Sequence, residues 1–201
     1  MVTNPTAVLQ KENARLQAEN ESLSAEVRDL REFVRSLNEL MIAGDRVTSN
    51  AEILPLLKRV LRQALKLLNT PDGTLFLVDE DNGQLVFQVV EGRLEKELTG
   101  YRIPLGEGIV GWVARNREAV MLPDVRRDNR FSHMIDDAFK FSTQSLAAAP
   151  IVGNHRVFGV IEALNKPGDE QFSENDAALL GLFCRGVGAV LADIEQRWLD
   201  E

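Results

Sequence analysis

The first part of the chain repeats an apolar position at every seventh residue. Leucines stand at positions 9, 16, 23, 30 and 37, and the positions four residues after each leucine hold Asn or an apolar residue. Leucine at heptad position d with β-branched residues at position a favours two parallel strands, and a buried Asn at position a is best satisfied by the same Asn of a partner. The pattern therefore predicts a parallel coiled-coil homodimer over residues 5–43. We expect its interface to consist of Leu9, Asn13, Leu16, Asn20, Leu23, Val27, Leu30, Val34 and Leu37.

An alternative for this stretch is an amphipathic helix that packs on a domain of its own chain. A helix of that kind normally presents a broader apolar face than two residues in each heptad. The sustained heptads are the better match to a coiled coil, and they favour pairing between two chains.

After these heptads the pattern changes to that of a mixed domain over residues 44–201. A helix is predicted to begin near Asn50, and it tolerates Pro55 because this residue lies in its first turns. Asn82-Gly83 is typical of a tight hairpin turn with positive φ angles, and the polar residues 122–143 indicate an irregular loop. Strands are predicted in TLFLVD, QLVFQVV, YRIPL, SLAAAPIV and RVFGVIEAL, and a short helix in GEGIVGWVARN.

This order of elements predicts an α+β fold with a mainly antiparallel sheet and helices on both of its faces, because hairpins dominate the connections. A long last helix is predicted from Ser173, which is a suitable N-cap. Its apolar residues predict a second coiled-coil-like seam of Leu180, Phe183, Val187, Val190 and Ile194.

The last helix also contains glycines, each of which weakens a helix by up to about 1 kcal/mol relative to alanine. Their presence predicts the close approach of another backbone, most simply that of the first helix of the domain or of its copy in the dimer. The glycines concerned are Gly181, Gly186 and Gly188.

Composition narrows the classes of function. The formal net charge of −8 argues against a nucleic-acid-binding surface, because contacts to phosphates need clustered Lys and Arg. A single cysteine, Cys184, excludes an intramolecular disulfide and a cysteine-rich metal site. The first residues do not have the pattern of a signal peptide, and no apolar segment approaches membrane-spanning length. We therefore expect a soluble, cytoplasmic protein without a nucleic acid or a membrane as partner.

Four segments of the domain are specific when they are taken together. They are TLFLVDEDNGQLVF, IPLGEGIVGWVARNREAVMLPDV, RRDNRFSHMIDDAFKFSTQSLAAAPI and GVIEALNKPGDEQFSENDAALL. In combination they resemble the GAF domain, the small-molecule sensor of phosphodiesterases, histidine kinases and phytochromes, over about residues 50–195. The resemblance implies a six-stranded antiparallel sheet with a bundle of terminal helices on one face. It also implies a ligand pocket on the other face, closed by the irregular segment.

Cyclic-nucleotide-binding GAF domains carry a signature of Asn-Lys, a spacer, Phe, and then Asp-Glu. Asn165, Lys166, Phe172 and Asp176 match this signature, whereas Ala177 replaces its final Glu. The resemblance implies that the Lys and the Asp tie a strand end to the following helix and do not contact the nucleotide. We therefore expect a structural ion pair, worth no more than about 1 kcal/mol if it is largely exposed.

The same resemblance implies a set of ligand contacts. Thr143 and Asp136 can hydrogen-bond a polar ligand, and the amides of Ile109 and Val110 open a helix that can receive an anion. The complete set is Thr74, Val90, Glu91, Ile109, Val110, Asp136, Phe139, Thr143 and Glu162.

Two positions depart from the cyclic-nucleotide-binding pattern. Val90 stands where an aromatic ring stacks on the purine, an interaction worth on the order of 1–3 kcal/mol. Phe139 replaces a residue with a hydroxyl group. These departures favour a different, unidentified small ligand, although a cyclic nucleotide stays open.

Other chemistry found among GAF relatives is not expected. Sulfoxide reductases use a reactive cysteine paired with others, but Cys184 stands alone in an apolar helical stretch. A covalent bilin needs a cysteine in the pocket. Haem needs an axial histidine, and His133 in a surface loop is the one candidate, because His155 falls in a hairpin turn. No cofactor is evident, and no set of residues indicates an enzyme.

Two functions without catalysis remain. The first is a homodimeric regulatory module that binds an unidentified small ligand and signals through its dimer helices to a downstream protein. The second is a dimeric scaffold or adaptor that keeps the fold without a ligand. The polar groups of Thr143, Asp136 and Glu162 favour the first, because an empty apolar core has no need of them.

Overall fold

The computed structural model describes residues 5–168 and 170–200. It divides into two compact units, of which the first ends at Ser36 and the second begins at Leu37. Helix α1, Pro5–Asp45, contains this division. The heptads thus form one continuous helix, and its pairing with a second chain stays a prediction.

The second unit contains a six-stranded antiparallel sheet in the order β3-β2-β1-β6-β5-β4. The predicted α+β class and the antiparallel sheet are confirmed. Strand β4 was not predicted, because three residues carry too little alternation to be recognised. The strands are β1 (Asp72–Asp79), β2 (Gln84–Glu91), β3 (Arg102–Pro104), β4 (Val120–Leu122), β5 (Leu146–Gly153) and β6 (Arg156–Leu164).

The two long hairpins use different turns. In the β1–β2 connection only Gly83 has a positive φ, of 62°, whereas the prediction gave positive φ angles to both Asn82 and Gly83. The reason is that four residues, 80–83, separate the strands and that the Asn82 amide donates to the Asp79 carboxylate at 3.0 Å. In the β5–β6 connection Asn154 and His155 both have positive φ, of 46° and 61°, as a two-residue hairpin turn requires.

Helices α2 (Asn50–Leu67) and α6 (Glu174–Leu199) cover one face of the sheet. Helix α2 begins at the predicted residue because the Glu52 carboxylate accepts hydrogen bonds from the N–H groups of Thr48 and Ser49, at 2.7 and 3.2 Å. Its apolar stripe is buried with the side chains of the sheet that point to this face, including Leu75, Ile161 and Ala149.

The close approach predicted by the glycines of α6 is found, but with a strand. A Cβ atom on Gly188 would overlap the carbonyl oxygen of Val152 in β5, and one on Gly153 would overlap the carbonyl oxygen of Gly188. The partner backbone is therefore that of the sheet and not that of a helix. Gly186 faces a side chain of α1, with Leu37 Cδ2 2.7 Å from an added Cβ, and Gly181 has only an ordinary contact of 3.6 Å with Ala119.

The predicted seam of α6 is buried within its own domain. The side chains of Leu180, Phe183, Val187 and Ile194 are at most 2% exposed, and Val190 packs on Gly44 at the end of α1. Four of these five residues are therefore not available to a second chain, because they are buried where α6 packs on β5 of the same chain.

Helix α6 also corrects the expectation about membrane-spanning segments. By length and composition alone it could cross a membrane, and it is the one helix in the described part of the chain of which this is true. Half of its most apolar stretch, 50%, is buried inside the fold. That burial is typical of the core helix of a globular domain.

The end of α1 packs on the same domain. Leu40 is 1% exposed, and Leu37, which we expected at an interface between chains, contacts Gly186 of α6. The side chain of Leu37 therefore packs against α6 of its own chain. The other apolar residues of the predicted seam lie in the first unit, where they are 46–67% exposed: Leu9, Leu16, Leu23, Val27, Leu30 and Val34.

Short helices cover the opposite face of the sheet. They are α3 (Glu95–Leu98), α4 (Gly108–Asn116), a 3-10 turn (Val125–Arg127) and α5 (Met134–Phe139). The segment 122–143 is thus less irregular than predicted. Single turns were not predicted because they have no periodic pattern of apolar residues. Local hydrogen bonds form them instead, such as the one that the Asp124 carboxylate accepts from the Arg126 N–H at 3.2 Å.

The predicted ion pair between β6 and α6 is present, with 3.0 Å between Lys166 Nζ and Asp176 Oδ2. Both side chains are only 12% exposed, so the expectation of a largely exposed pair is wrong. The Asp176 carboxylate also accepts from the N–H and the hydroxyl of Ser173, at 2.7 and 2.8 Å, and the Lys166 ammonium lies 5.6 Å from the centre of the Phe172 ring. Removal of either partner alone would leave a largely buried charge, so it should cost more stability than the loss of an exposed pair.

Asn165 of the same motif joins β6 to the segment before β5. Its Oδ1 accepts from the N–H groups of Gln144 and Ser145 at 2.8 and 3.3 Å, and its Nδ2 donates to the Ser142 carbonyl at 2.9 Å. All four residues of the signature therefore make contacts that hold elements of the domain together.

The contact between α6 and β5 gives a test of the fold. Changing Gly188→Ala is expected to lower the free energy of unfolding by roughly 1–3 kcal/mol, because the methyl group overlaps a strand carbonyl that cannot move freely. Gly181→Ala, in the same helix with an ordinary contact, is expected to be neutral or to stabilise by up to about 1 kcal/mol. Urea denaturation of both variants measures the difference. Equal stabilities would contradict the packing described for Gly188.

Candidate functional site

A cavity lies between the sheet and the short helices of the opposite face. Its volume is about 840 Å³, including the part that is open to solvent. Side chains from β1, β2 and β6 form one wall, and α4 and residues 131–143 form the other. The cavity therefore lies on the face of the sheet opposite to α2 and α6.

Most of the wall is apolar and belongs to the buried core. Phe76 of β1 and Phe87 of β2 meet edge to face, with 4.4 Å between their ring centres. Leu98, Ile103 and Ile109 continue this surface, and each is at most 7% exposed. Because these residues are packed into the core, the cavity is preformed and its apolar shape is fixed.

Asp136 and Thr143 lie at the edge of the cavity and bind each other. The carboxylate of Asp136 accepts hydrogen bonds from both the N–H and the hydroxyl of Thr143, each at 2.8 Å. These two bonds close residues 136–143 into a loop after α5. Both side chains have partners within the protein, although a carboxylate can accept further bonds from a ligand.

Glu162 is the unusual acid of the cavity. In the sheet it stands between Thr74 of β1 and Ala148 of β5, and its side chain lines the cavity. Within the described part of the chain this carboxyl group has neither a hydrogen bond nor an ion pair. Burial, and secondly the negative charge of Asp136, raise its pKa to about 7. A neutral acid and a carboxylate are therefore both populated near neutral pH.

The structure brings together nearly all of the predicted ligand contacts. Phe139 is the exception: it is not part of the lining, and its ring meets the ring of Tyr101 edge to face at 6.0 Å. A role for these residues in binding stays a prediction. Those that line the cavity are Thr74, Val90, Glu91, Ile109, Val110, Asp136, Thr143 and Glu162.

The sequence analysis missed further residues of the lining. Asp72 stands just outside the segments that we used, at the start of β1, and Glu107 lies inside one of them, at the N-cap of α4. Phe131, Ile135 and Phe141 lie in the segment that we described only as irregular. Their apolar character within a polar loop was the available signal, since exposed loops seldom need large apolar side chains.

The remaining candidate residues are not part of the cavity lining, although His133 stands between the lining residues Ser132 and Met134. Cys184 is fully buried on α6, and this burial raises the pKa of its thiol far above the ordinary value. His133 is exposed beside Phe131 with its ring 4.9 Å from that ring, and His155 is exposed in the β5–β6 turn. Among the described residues no group of three or more His, Cys, Asp or Glu is placed to hold a metal ion.

A six-stranded antiparallel sheet with a preformed apolar cavity on one face, containing a few polar groups, defines a small-molecule-binding sensor fold. The GAF domain model matches residues 52–191 of this chain. The chain therefore belongs to the GAF domain family. GAF domains are small-molecule sensor and regulatory modules rather than catalytic domains.

Curated relatives match part of the domain. The chain is 35% identical over 88 residues to the cone cGMP-specific 3',5'-cyclic phosphodiesterase subunit alpha' of Bos taurus, covering 44% of this chain and 10% of that protein. It is 34% identical over 96 residues to the dual 3',5'-cyclic-AMP and -GMP phosphodiesterase 11A of Takifugu rubripes, covering 47% and 11%. The matched region thus spans only about a tenth of these relatives.

Solved structures share the fold. The GAF domain of a phosphoenolpyruvate-protein phosphotransferase from Coxiella burnetii superimposes with a TM-score of 0.69 at 18% identity, covering 84% of this chain and 98% of that one. A free methionine-R-sulfoxide reductase from Neisseria meningitidis gives a TM-score of 0.64 at 20% identity, covering 83% and 91%. At these identities the similarity shows the fold alone.

Glu162 gives a prediction about stability and pH. Its pKa is about 7 in the folded chain against an ordinary value of 4.5, so between these pH values the folded state holds a proton that the unfolded state has lost. Stability should therefore fall as pH rises from 4.5 to 7. Glu162→Gln should remove this part of the fall and be more stable than the original chain at pH 8, by on the order of 2 kcal/mol.

Urea denaturation at pH 4.5 and at pH 8 measures this effect, with the exposed Glu118→Gln as the control. The control should leave the pH dependence unchanged. If the original chain and Glu162→Gln differ by the same amount at both pH values, Glu162 is ionised at an ordinary pKa.

Proposed function

We propose that this protein is a homodimeric GAF sensor, which binds a small molecule in the cavity and passes the binding event to its dimer helices. The observation that carries the proposal is the preformed apolar cavity with the unpartnered Glu162 inside it. A carboxyl group in such a place costs stability when it ionises, and a ligand that pairs with it offsets that cost.

A route from the cavity to the helix face begins on β6. Ile161 and Glu162 are consecutive residues, so their side chains point to opposite faces of the sheet. Glu162 lines the cavity, while Ile161 is fully buried on the other face, where its backbone contacts Cys184 of α6. A ligand that displaces Glu162 thereby displaces a residue that supports α6.

The route continues from α6 to the end of α1. Val190 packs on Gly44, and the Arg197 guanidinium donates to the carbonyl oxygens of Gly44, Asp45 and Val47 at 2.9, 3.4 and 3.5 Å. These carbonyls belong to the last turn of α1 and the connection that follows it. A shift of α6 is therefore passed to α1 through hydrogen bonds as well as through packing.

Dimerisation is supported by the exposed stripe of α1. Its apolar residues from Leu9 to Val34 repeat in heptads and are about half exposed. A continuous apolar stripe of this kind is costly in water and is covered when two copies pair. We propose a parallel pairing of these helices as the way in which the sensor controls its output.

Two narrower proposals concern the identity of the ligand and the protein that receives the signal. A cyclic nucleotide is a candidate because the relatives include phosphodiesterases named for cGMP and cAMP, although Val90 offers no aromatic ring for stacking on a purine. We propose a downstream signalling protein as the receiver, and a cytoplasmic location. We propose no nucleic acid or membrane as partner, because a net charge of −8 opposes binding to phosphate groups.

A dimeric scaffold without a ligand is the second candidate. It is favoured by the contact between Asp136 and Thr143, because these polar groups satisfy each other and need no ligand. The two candidates differ in one measurable property, which is stabilisation by a small molecule.

A ligand screen separates the two candidates. A ligand that binds only the folded state stabilises it by about 2.7 kcal/mol at a hundredfold excess over its Kd, so a thermal-shift screen of cyclic mononucleotides, nucleobases, amino acids, amines and oxo-acids should give at least one clear hit. The hit should be lost in an Asp136→Ala, Thr143→Val double variant and kept in Asp137→Ala, whose exposed side chain lies outside the cavity. A flat screen, together with native mass spectrometry that finds no bound molecule, would support the scaffold.

The dimer has its own test in α1. Leu23→Glu places a charge in the exposed heptad stripe and should weaken self-association at least tenfold, because the partner helix would bury that charge. Ala18→Glu adds the same charge at an exposed position five residues earlier, outside the two apolar positions of the heptad, and should have little effect. Light scattering across micromolar concentrations measures both. A monomeric original chain would contradict the dimer and leave the ligand proposal standing.

A further inference from the structure

We propose that the cavity selects a cation, namely a compact and mainly apolar molecule that carries a protonated amine or amidine group, and that it rejects anions. This inference rests on the proposed sensor function and adds the charge and the chemical class of the ligand. The cation would pair with Glu162, with its apolar body against the aromatic wall.

The first argument is the charge of the lining. The acidic side chains that line the cavity are Asp72, Glu91, Glu107, Asp136 and Glu162. Among the described residues of the lining there is no Lys, Arg or His. An anionic ligand would have to give up its hydration beside these carboxylates without a cationic side chain of the lining to receive it.

The second argument is that protein groups balance some of these charges but not all. Glu91 forms an ion pair with Arg62 at 2.9 Å, and Asp136 is bound by Thr143. Asp72 accepts one backbone hydrogen bond, from the N–H of Arg93 at 3.3 Å. Glu162 has no such partner and faces the cavity, so it is the group with the most to gain from a cationic ligand.

The cations near the rim do not reverse this balance. The Arg93 guanidinium lies 4.9 Å from the centre of the Phe141 ring, and Phe141 is itself part of the lining. Arg93 therefore lies behind an aromatic side chain, and Arg62 is held by Glu91.

The start of α4 is the part of the cavity most suited to an anion, since helix N-termini attract negative charge. Here the residue at the N-cap is Glu107, which also lines the cavity. The carboxylate of Glu107 thus places a negative charge of the protein near the N–H groups of Ile109 and Val110. We earlier expected these amides to receive an anion, and the acidic lining makes that role unfavourable.

The apolar wall determines the chemical character of the uncharged part of the ligand. Phe76, Phe87, Phe131 and Phe141 line the cavity together with aliphatic side chains. Aromatic faces attract cations as well as hydrocarbon groups. An arylalkylamine or an arylamidine matches both the charge and the surface.

The ionisation of Glu162 makes this selection dependent on pH. A cation binds the ionised form, and the pKa of Glu162 in the free protein is about 7, so affinity should rise between pH 6 and pH 8. Asp136 of α5 is the charged group that acts on Glu162. The other charged groups of the lining are Asp72 of β1, Glu91 of β2 with its partner Arg62, and Glu107 before α4.

Three probes of nearly equal shape test the inference: benzamidine, which is a cation, benzamide, which is neutral, and benzoate, which is an anion. Isothermal titration of the full chain at pH 8 should show benzamidine binding at least tenfold more tightly than benzamide, with no detectable binding of benzoate. Its affinity should drop at least fivefold at pH 6. Glu162→Gln should lose the preference for benzamidine over benzamide, whereas the exposed Asp137→Asn should keep it.

The outcomes separate this inference from the sensor function. Tighter binding of benzoate or of cyclic GMP than of benzamidine would overturn the cation inference and support a sensor of anions. Absence of benzamidine binding overturns it as well, while a hit elsewhere in the ligand screen would preserve the sensor function. Retention of the benzamidine preference in Glu162→Gln would overturn the assignment of Glu162 as the group that pairs with the cation.

Discussion

The position of β6 inside the sheet is the constraint on which the other features depend. Because β6 is paired on both sides, with β1 and with β5, its register cannot change without breaking two ladders of hydrogen bonds. A shift by one residue would exchange the two faces, placing Glu162 under α6 and Ile161 in the cavity. The pairing therefore holds an acid on the ligand side and an apolar residue on the helix side.

In the cavity, one side chain lowers the stability of the fold and at the same time offers an interaction to a ligand. Burying an ionisable acid without a partner lowers the free energy of unfolding. The apolar side chains that surround Glu162 offset this cost because their own burial stabilises the fold. A polar group without a partner in the protein leaves one interaction that only a ligand can make. Asp136 and Thr143 illustrate the opposite choice, since they satisfy each other and thereby close a loop.

Sequence reasoning predicted the elements with long apolar periods, and it assigned the family from four combined segments. It failed where tertiary contacts decide. The apolar residues of α6 look the same whether they face a second chain or a sheet, and only the fold shows that Phe183 and Val187 face β5. Single-turn helices have no period to detect. Phe139 does not line the cavity, because a resemblance gives a position in the chain but not the direction of the side chain at the end of a short helix such as α5.

The contact between Arg197 and Gly44 joins residues 153 positions apart in the chain. Closing a loop of that length costs conformational entropy, which only the folded domain between its ends can offset. The end of α1 therefore keeps this contact only while the domain between Gly44 and Arg197 is folded, and α6 must be synthesised before the end of α1 has its final neighbours. An incompletely folded domain leaves α1 without its attachment, so correct placement of this helix also reports that folding has finished.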